Sequence, residues 1–466
     1  MTASPAIRAA LRGHEPSEEQ WAAIAHDPVP LAIIAGAGSG KTAVMAARIV
    51  WFVEQEIASP WQILGLTFTN KAAAELEERL VQAFGELSGG SLELPNVATY
   101  NSFADGILRR HGVRIGIDPE VALLSQGQSW QLVREALADI PAFESIDSRS
   151  MSSICQNALA LAEHCANHCV TPAEVAAEDE RIVANADSFN EKAVLASRRR
   201  IELARLVEAY SARKRARRRI DYGDQVSKTV EILESFPEVA ADLRDRYPAI
   251  LLDEYQDTNV AQRRMLQPLA PSGSNVTAVG DARQNIFQWR GSTLFNLIDF
   301  PTRHFLREGQ RAHDYLSLSS NFRSGSAILQ AANAVIEHVP ENRRPGLPLA
   351  ATPDNGRGFV ATKVLEDQMQ EAAFIADEIK RLHGEPAAPS RSPADYRDFA
   401  ILVRRKSHLG PIYAALKKAD IPVEVIGLGG LLQLPEIVDL VAWLRVIAEP
   451  GPAGNRWLAR LAMGPR

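Results

Sequence analysis

A chain of 466 residues that is 46% hydrophobic and carries a formal net charge of -6 has room for about two to four domains with cores of their own, and these figures exclude a disordered or generally basic protein. The N-terminus, MTASPAIRAALRGHEPS, lacks the apolar core of a secretory signal, and no run approaches the roughly 18 apolar residues of a membrane span, so a cytoplasmic protein with no membrane contact is expected. Cys155, Cys165 and Cys169 cannot build a disulfide framework and suit a reducing compartment, and any nucleic-acid contact must use local basic patches.

In chain order, EPSEEQWAAIA (Glu15 to Ala25) reads as a helix capped by Ser17, with Gln20 placed to complete a capping box. A second use for Gln20 is to read an adenine edge from just upstream of a phosphate loop. LAIIAGAGSGKT (Leu31 to Thr42) then reads as a strand, a loop and a helix start. Gly36, Gly38 and Gly40 permit the tight turns that aim backbone N–H groups inward, and the helix N-terminus adds partial positive charge. The loop Ala35, Gly36, Ala37, Gly38, Ser39, Gly40 is therefore an anion cradle, with Lys41 reaching the β/γ-phosphates of a nucleotide and Thr42 ligating Mg²⁺. Ala35 stands where the generic G-x-x-x-x-G-K-[ST] pattern has its first glycine.

Ala43 to Gln55 has helical periodicity, and Ile63 to Phe68 is an apolar strand running into Thr69-Asn70-Lys71 and the helix AAAELEERL. Val97 to Tyr100 is a third strand, leading into NSFADGILRR, with two more at Ala249 to Leu252 and Val276 to Val279. Strands alternating with helices predict a parallel sheet covered on both faces, with ligands at the C-terminal strand ends. Between Ile115 and Arg219 strand signals vanish and helical spacing takes over, so a helical insertion is expected. Its end is strongly basic (Arg198, Arg199, Arg200, Arg205, Arg213, Lys214, Arg215, Arg217, Arg218, Arg219), either a solvated helix face or a contact for a phosphate backbone. His164-Cys165 and His168-Cys169 lie one helical turn apart, which suits zinc or, with no second pair at finger-like spacing, an ordinary amphipathic helix.

Beyond Phe300 a second alternating region is predicted, with strands at Tyr315 to Leu318, Phe359 to Val364, Phe399 to Val403 and Val423 to Ile426. SAILQAANAVIEHV, EAAFIADEIKRL and PIYAALKKA supply the helices between, and EPAAPSRSPAD is a loop. From Gly427 the texture becomes a turn and then a helix.

ILLDEYQDTN places two adjacent carboxylates at a strand end, where a P-loop ATPase needs one acid for Mg²⁺ (Asp253) and one base for the attacking water (Glu254). In VGDARQNIFQWRG, Gln284 and Arg290 have the reach to sense a γ-phosphate, while Phe287 and Trp289 suit stacking on exposed bases or the core. SNFRS adds Arg323, an arginine able to stabilise charge on a transferred phosphoryl group.

AGAGSGKT, LTFTNKAAAEL, DEYQDTN, VGDARQNIFQWRG and SSNFRS, in this order over nearly the whole chain, resemble the UvrD/Rep/PcrA branch of superfamily 1 DNA helicases, which also uses A-x-x-G-x-G-K-T and so accounts for Ala35. The resemblance implies an α/β fold, that of a P-loop NTPase with RecA-like parallel-sheet domains and helical insertions. It implies domain 1A over 1–114 and 220–300, insertion 1B over 115–219, domain 2A over 301–426 and the start of 2B over 427–466. ATP and Mg²⁺ are the implied ligands, handled by Lys41, Thr42, Asp253, Glu254, Gln284, Arg290 and Arg323, with Gln20 reading the adenine and Phe322 stacking on it. Thr67, Phe68, Asn70, Thr99, Trp289, Phe287 and Tyr222 are the implied track for single-stranded DNA next to a duplex junction, with 3′ to 5′ movement and a role in repair or recombination. Asn101 stands where relatives usually have histidine. No match to the branch's two last motifs is read in the sequence, so a chain lacking the C-terminal motifs is expected. That reading keeps open an ATP-gated DNA-binding module without hydrolysis, and RNA as the polymer. VMAARIVWFVEQ and LGLTFTNKAAAEL further resemble AdnB-type helicase–nuclease subunits, which implies a second subunit as partner.

Overall fold

In a computed structural model, residues 2–86, 93–147, 150–300, 315–384, 394–426, 440–444 and 447 are described. They fall in two compact units, 1–360 and 361–466. The strands are β1 (Leu31–Ala35), β2 (Ile63–Thr67), β3 (Asn96–Thr99), β4 (Ala122–Leu123), β5 (Arg219–Ile220), β6 (Ala249–Leu252), β7 (Asn275–Gly280), β8 (Tyr315–Leu318), β9 (Ser320–Asn321) and β10 (Ala350–Ala351).

Six of them form one parallel sheet in the order β3-β2-β6-β7-β1-β8. Period-two geometry, with both faces of the sheet covered, explains why the inner strands β1, β2 and β6 are almost continuously apolar. Leu31, Ile33 and Ala35 of β1 pack on one face with Ala249, Leu251 and Val279, under the helices Glu18–Ile24, Lys41–Glu54 and Asn70–Gly85. Ala32 and Ile34 turn to the other face with Ile250, Leu252, Val276 and Ala278, under the helices Tyr100–His111, Tyr222–Ser235 and Val260–Leu266. Each fully buried Leu or Ile contributes roughly 1.5–3 kcal/mol, so two such faces hold the strand ends, and the loops on them, in place.

β8 departs from the expected arrangement. It pairs with β1, Ala32 opposite Tyr315 and Ala35 opposite Leu318, and so joins the first sheet instead of opening a second. Alternation shows that a strand exists; which sheet it joins depends on where a free edge with unpaired N–H and C=O groups lies. Phe359 to Val364, Phe399 to Val403 and Val423 to Ile426 carry no strand assignment. Phe359, Val364, Leu402 and Ile426 are exposed, whereas Phe399, Ile401, Val403 and Val423 pack on the helices of the second unit, so these runs have the composition of strands without a partner ladder among the described residues. The segment from 427 to 439 lies outside the described residues.

The insertion is helical as expected, with Gln126–Ala136, Met151–His168 and Glu191–Ala216 meeting over Leu132, Val133, Ile154, Ala158, Leu206, Val207 and Tyr210. A two-residue ladder of β4 with β5 closes its base, a feature too short for periodicity to register. In the second unit, the helices Gln368–Leu382 and Leu409–Lys418 bury Ala372, Ala376 and Ile379 against Ile412 and Leu416.

Candidate nucleotide site and adjoining aromatic face

β1 ends at Ala35 and the chain turns through Gly38 and Gly40, whose φ values of +75° and +86° an L side chain rarely adopts. Ser39 closes the turn: its N–H and hydroxyl donate to the Gly36 carbonyl at 3.2 and 2.8 Å. A Cβ at Gly36 would lie 2.5 Å from the Leu349 side chain, and one at Gly38 would lie 2.7 Å from Asn321 Nδ2 and 2.8 Å from Arg323 Cβ. Helix Lys41–Glu54 begins directly after Gly40, which leaves its first N–H groups free for an anion. The expected capping box is present: Gln20 Oε1 accepts from the Ser17 N–H at 3.1 Å and the Ser17 hydroxyl accepts from the Gln20 N–H at 3.3 Å. Gln20 Nε2 donates to the Ser39 carbonyl at 3.1 Å, tying that helix to the loop.

The two acids at the end of β6 differ in setting. Asp253 is buried, its N–H donating to the Leu66 carbonyl at 2.8 Å and its carboxylate hydrogen-bonded to Thr42. Burial and the neighbouring Glu254 push its pKa up to about 6, against the pull of Lys41 and the Thr42 hydroxyl. Glu254 takes a left-handed backbone, φ +47°, which points its side chain at Lys41, and the two form an ion pair at 2.9 Å. Gln256 Nε2 donates to the same Glu254 oxygen at 2.8 Å. Burial, then Glu254, raise Asp257 to about 7.

Asp253 beside Thr42 is a hard-oxygen pair of the kind Mg²⁺ uses together with substrate phosphates. Among the described residues no cluster of three or more His, Cys, Asp or Glu could hold a metal by itself, and the His164-Cys165 and His168-Cys169 pairs form none.

Gln256 also receives the Asp281 N–H on its Oε1 at 2.9 Å and the Asn285 side-chain N–H on its carbonyl at 2.5 Å, so the turn after β7 hangs on the turn after β6. Gln284 donates to Asp281 at 2.7 Å. Arg290, expected with the phosphate machinery, is grouped with the aromatic residues: its guanidinium carbon lies 4.7 Å from the Trp289 ring centroid and 5.5 Å from that of Phe287. Phe287 stacks on Phe68 at 5.1 Å, while Trp289 is 65% exposed, so three rings in a row leave one face open.

Of the other residues expected on a DNA track, Asn70 and Tyr222 are exposed. Thr67 is fully buried with its hydroxyl donated to the Thr69 carbonyl at 3.2 Å, and Thr99 caps the following helix by accepting the Ser102 N–H at 3.1 Å, so both hydroxyls serve the backbone. Asn101 donates to the Tyr222 carbonyl at 3.2 Å and to Gln225 at 3.1 Å.

SNFRS sits on the phosphate loop. The Phe322 N–H donates to the Gly38 carbonyl at 2.8 Å, and Asn321 donates to the Ala37 carbonyl at 2.5 Å while accepting the Arg323 and Ser324 N–H groups at 2.8 and 2.6 Å. Phe322 is exposed beside the loop, as is Arg323. Glu19 accepts from the Ser319 and Ser320 N–H groups at 2.8 and 3.2 Å and from the Ser319 hydroxyl; burial pushes its pKa up, but these donors together hold it below the usual value. Asn321, Glu19 and Gln256 are positioning residues that motif reading missed; the signal available was a polar side chain within two residues of each motif's functional one.

Part of the basic run is engaged in ion pairs, while Arg198, Arg205, Arg215 and Arg219 are exposed. Arg213 pairs with Asp139 at 2.5 Å, Arg217 with Glu135 at 2.5 Å, Arg200 with Asp179, and Lys214 is buried between Asp221 and Asp224 at 2.6 and 2.5 Å. These pairings give Arg200, Arg213, Lys214 and Arg217 a structural use, which neither expected reading of the run, solvated face or phosphate contact, included.

With this geometry in place, the comparisons are specific. The model of the UvrD/REP helicase N-terminal domain matches residues 16–304, and that of the UvrD-like helicase C-terminal domain matches 316–463. The second match overturns the expectation that the C-terminal motifs are lacking. The ATP-dependent DNA helicase UvrD1 of Mycobacterium tuberculosis (strain H37Rv) is 32% identical over 98% of this chain and 55% of its own length. The ATP-dependent DNA helicases PcrA of Leuconostoc citreum and Staphylococcus aureus (strain Mu50) are each 30% identical, over 90% and 92% of this chain and 51% and 53% of theirs. The chain thus spans about half the length of the curated relatives it matches.

Proposed function

From a chain that belongs to the UvrD/REP helicase family, we infer an ATP-driven motor acting on single-stranded DNA. The observation that carries this reading is the Lys41–Glu254 pair at 2.9 Å with Thr42 and Asp253 beside it. Lys41 exchanges Glu254 for phosphate when the loop is filled, and Glu254, released, orients and deprotonates the attacking water. Thr42 and Asp253 would hold Mg²⁺, which would supply charge neutralisation for the phosphates. Arg323, whose backbone stands on the loop, stabilises the charge that develops on the transferred group. Gln256 transmits the state of Glu254 to the turn bearing Phe287, Trp289 and Arg290, where bases stack on the open ring. Gln20 is read as the adenine contact, on its place beside Gly40.

Movement 3′ to 5′, cytoplasmic work in DNA repair or recombination, and a helicase–nuclease subunit as partner are finer readings that rest on sequence resemblance. Strand displacement from 3′- and 5′-tailed duplexes tests the polarity, and copurification tests the partner. The central experiment is ATP hydrolysis by the 466-residue chain with and without single-stranded DNA, beside nucleotide binding. Stimulated turnover is expected. Binding without turnover would leave an ATP-gated binding module, and stimulation by RNA alone would make RNA the polymer.

A further inference from the structure

The turn that carries Trp289 and Arg290 is held from a third side, by the helical insertion. Asn167, in the last turn of the helix Met151–His168, donates from Nδ2 to the Arg290 carbonyl at 2.9 Å and accepts on Oδ1 from Asn259 Nδ2 at 2.8 Å. Asn259 begins the helix that follows the DEYQDTN turn and pairs with Ser292 in an isolated bridge. Ser292 in turn accepts from Asn285 at 3.0 Å, which is bound to Gln256. Gly291, at φ +78°, lies so close that a Cβ there would stand 3.1 Å from Asn167 Cβ. One side chain of the insertion therefore bridges the end of the acidic turn and the backbone beneath the aromatic stack.

We propose that Asn167 is a positioning residue for nucleic-acid binding, fixing the Arg290 backbone so that Arg290 stays over Trp289 and the indole keeps its free face for a base. This rests on the reading of the aromatic turn as the single-strand contact. The logic is geometric: Gly291 gives the turn no side chain of its own to pack, so on the side of the insertion the turn is held by the Asn167 hydrogen bond. A lost backbone hydrogen bond of this kind weakens binding roughly tenfold.

The test is Asn167→Asp, which keeps size and the Asn259 bond but sets a carboxylate against the Arg290 carbonyl, together with Asn167→Ser, which shortens the side chain without charge. Fluorescein-labelled oligothymidylate is titrated into the 466-residue chain and each variant. The Trp289 share of the emission is isolated by subtracting Trp289→Phe. Roughly tenfold weaker strand binding and a shifted Trp289 emission are expected, with fluorescent-nucleotide affinity and melting temperature unchanged. Unchanged strand affinity and emission in both variants, while Trp289→Ala still weakens binding, would overturn this inference alone. A lowered melting temperature accompanied by equal loss of nucleotide affinity would also overturn it, by making Asn167 merely structural. No strand binding by the unaltered chain would overturn the underlying reading and this inference with it.

Discussion

Glu254 holds a backbone conformation, φ +47°, that costs a side-chain-bearing residue roughly 1–3 kcal/mol, and two donors to one of its oxygens, Lys41 and Gln256, hold the side chain in place. On the function proposed above, a charge so placed serves the reaction more than the fold. Glu254→Gln is expected to bind ATP as tightly as the parent while turnover falls by about 10²–10⁴, the usual weight of a general base; turnover within a few-fold of the parent would remove Glu254 from that role. Asp257 lends itself to a second prediction. An unfolded aspartate titrates near 4, whereas burial and then Glu254 keep Asp257 protonated up to about 7. Between those values the folded state binds the extra proton, so this residue's effect is a loss of stability as pH rises from about 4 through 7, fully felt above 7. Asp257→Asn should therefore flatten the fall in melting temperature between pH 5 and pH 8. Parallel curves for parent and variant would show that Asp257 ionises normally.

Among the elements, β8 and the segment behind it carry the most consequence. Once β8 lies on the edge of β1, Ser319, Ser320 and Asn321 reach Glu19 and the phosphate loop without any further fold. Asn321→Ala removes a donor to the Ala37 carbonyl and the acceptor of two N–H groups, each worth roughly 1 kcal/mol. The segment should loosen and nucleotide affinity fall roughly tenfold by titration of a fluorescent ATP analogue; an unaltered affinity would separate the segment from the site. Leu251, fully buried in β6, anchors the acidic turn from below, and Leu251→Ala should cost about 2–5 kcal/mol in denaturant melts. This is also where sequence reading divides into what is local and what is not. The phosphate loop and the Ser17–Gln20 box were legible because each is a short run whose residue types have one good local geometry, and the acidic turn because its two carboxylates follow an apolar strand, although the left-handed backbone of Glu254 was not. β8's sheet, the second use of Gln20 on Ser39 and the bridge of Asn167 to Arg290 were not, because each joins residues distant in sequence (the last pair by 123 positions) and depends on which edge or helix end is brought near. The strands expected at 359–364 and 399–403 failed for the related reason that composition records a capacity for pairing without naming a partner.

For the whole molecule, the balance of charge decides how a polyanion is held. The net charge is -6, and two arginines at the end of the insertion's basic run are already paired, Arg213 with Asp139 and Arg217 with Glu135. Paired cations release few counterions on binding, so on the function proposed above Arg213 and Arg217 add little phosphate neutralisation and the aromatic turn supplies stacking. Two outcomes distinguish this from a basic-patch mechanism. Trp289→Ala should cost about 1–3 kcal/mol of strand affinity at any salt concentration. Arg213→Ala and Arg217→Ala should lower the melting temperature of the insertion, by releasing Asp139 and Glu135, while leaving the slope of log affinity against log salt almost unchanged. A decrease of about 0.7 in that slope for each arginine removed is what direct phosphate contact would produce, and it would return the basic helix to the binding surface. Because each pairing fastens the end of the helix Glu191–Ala216 to the helix Gln126–Ala136 or the short turn after it, the same arginines hold the frame from which Asn167 reaches the aromatic turn. Their loss should therefore reach strand binding late, through unfolding of the insertion, with a temperature dependence that Trp289→Ala lacks.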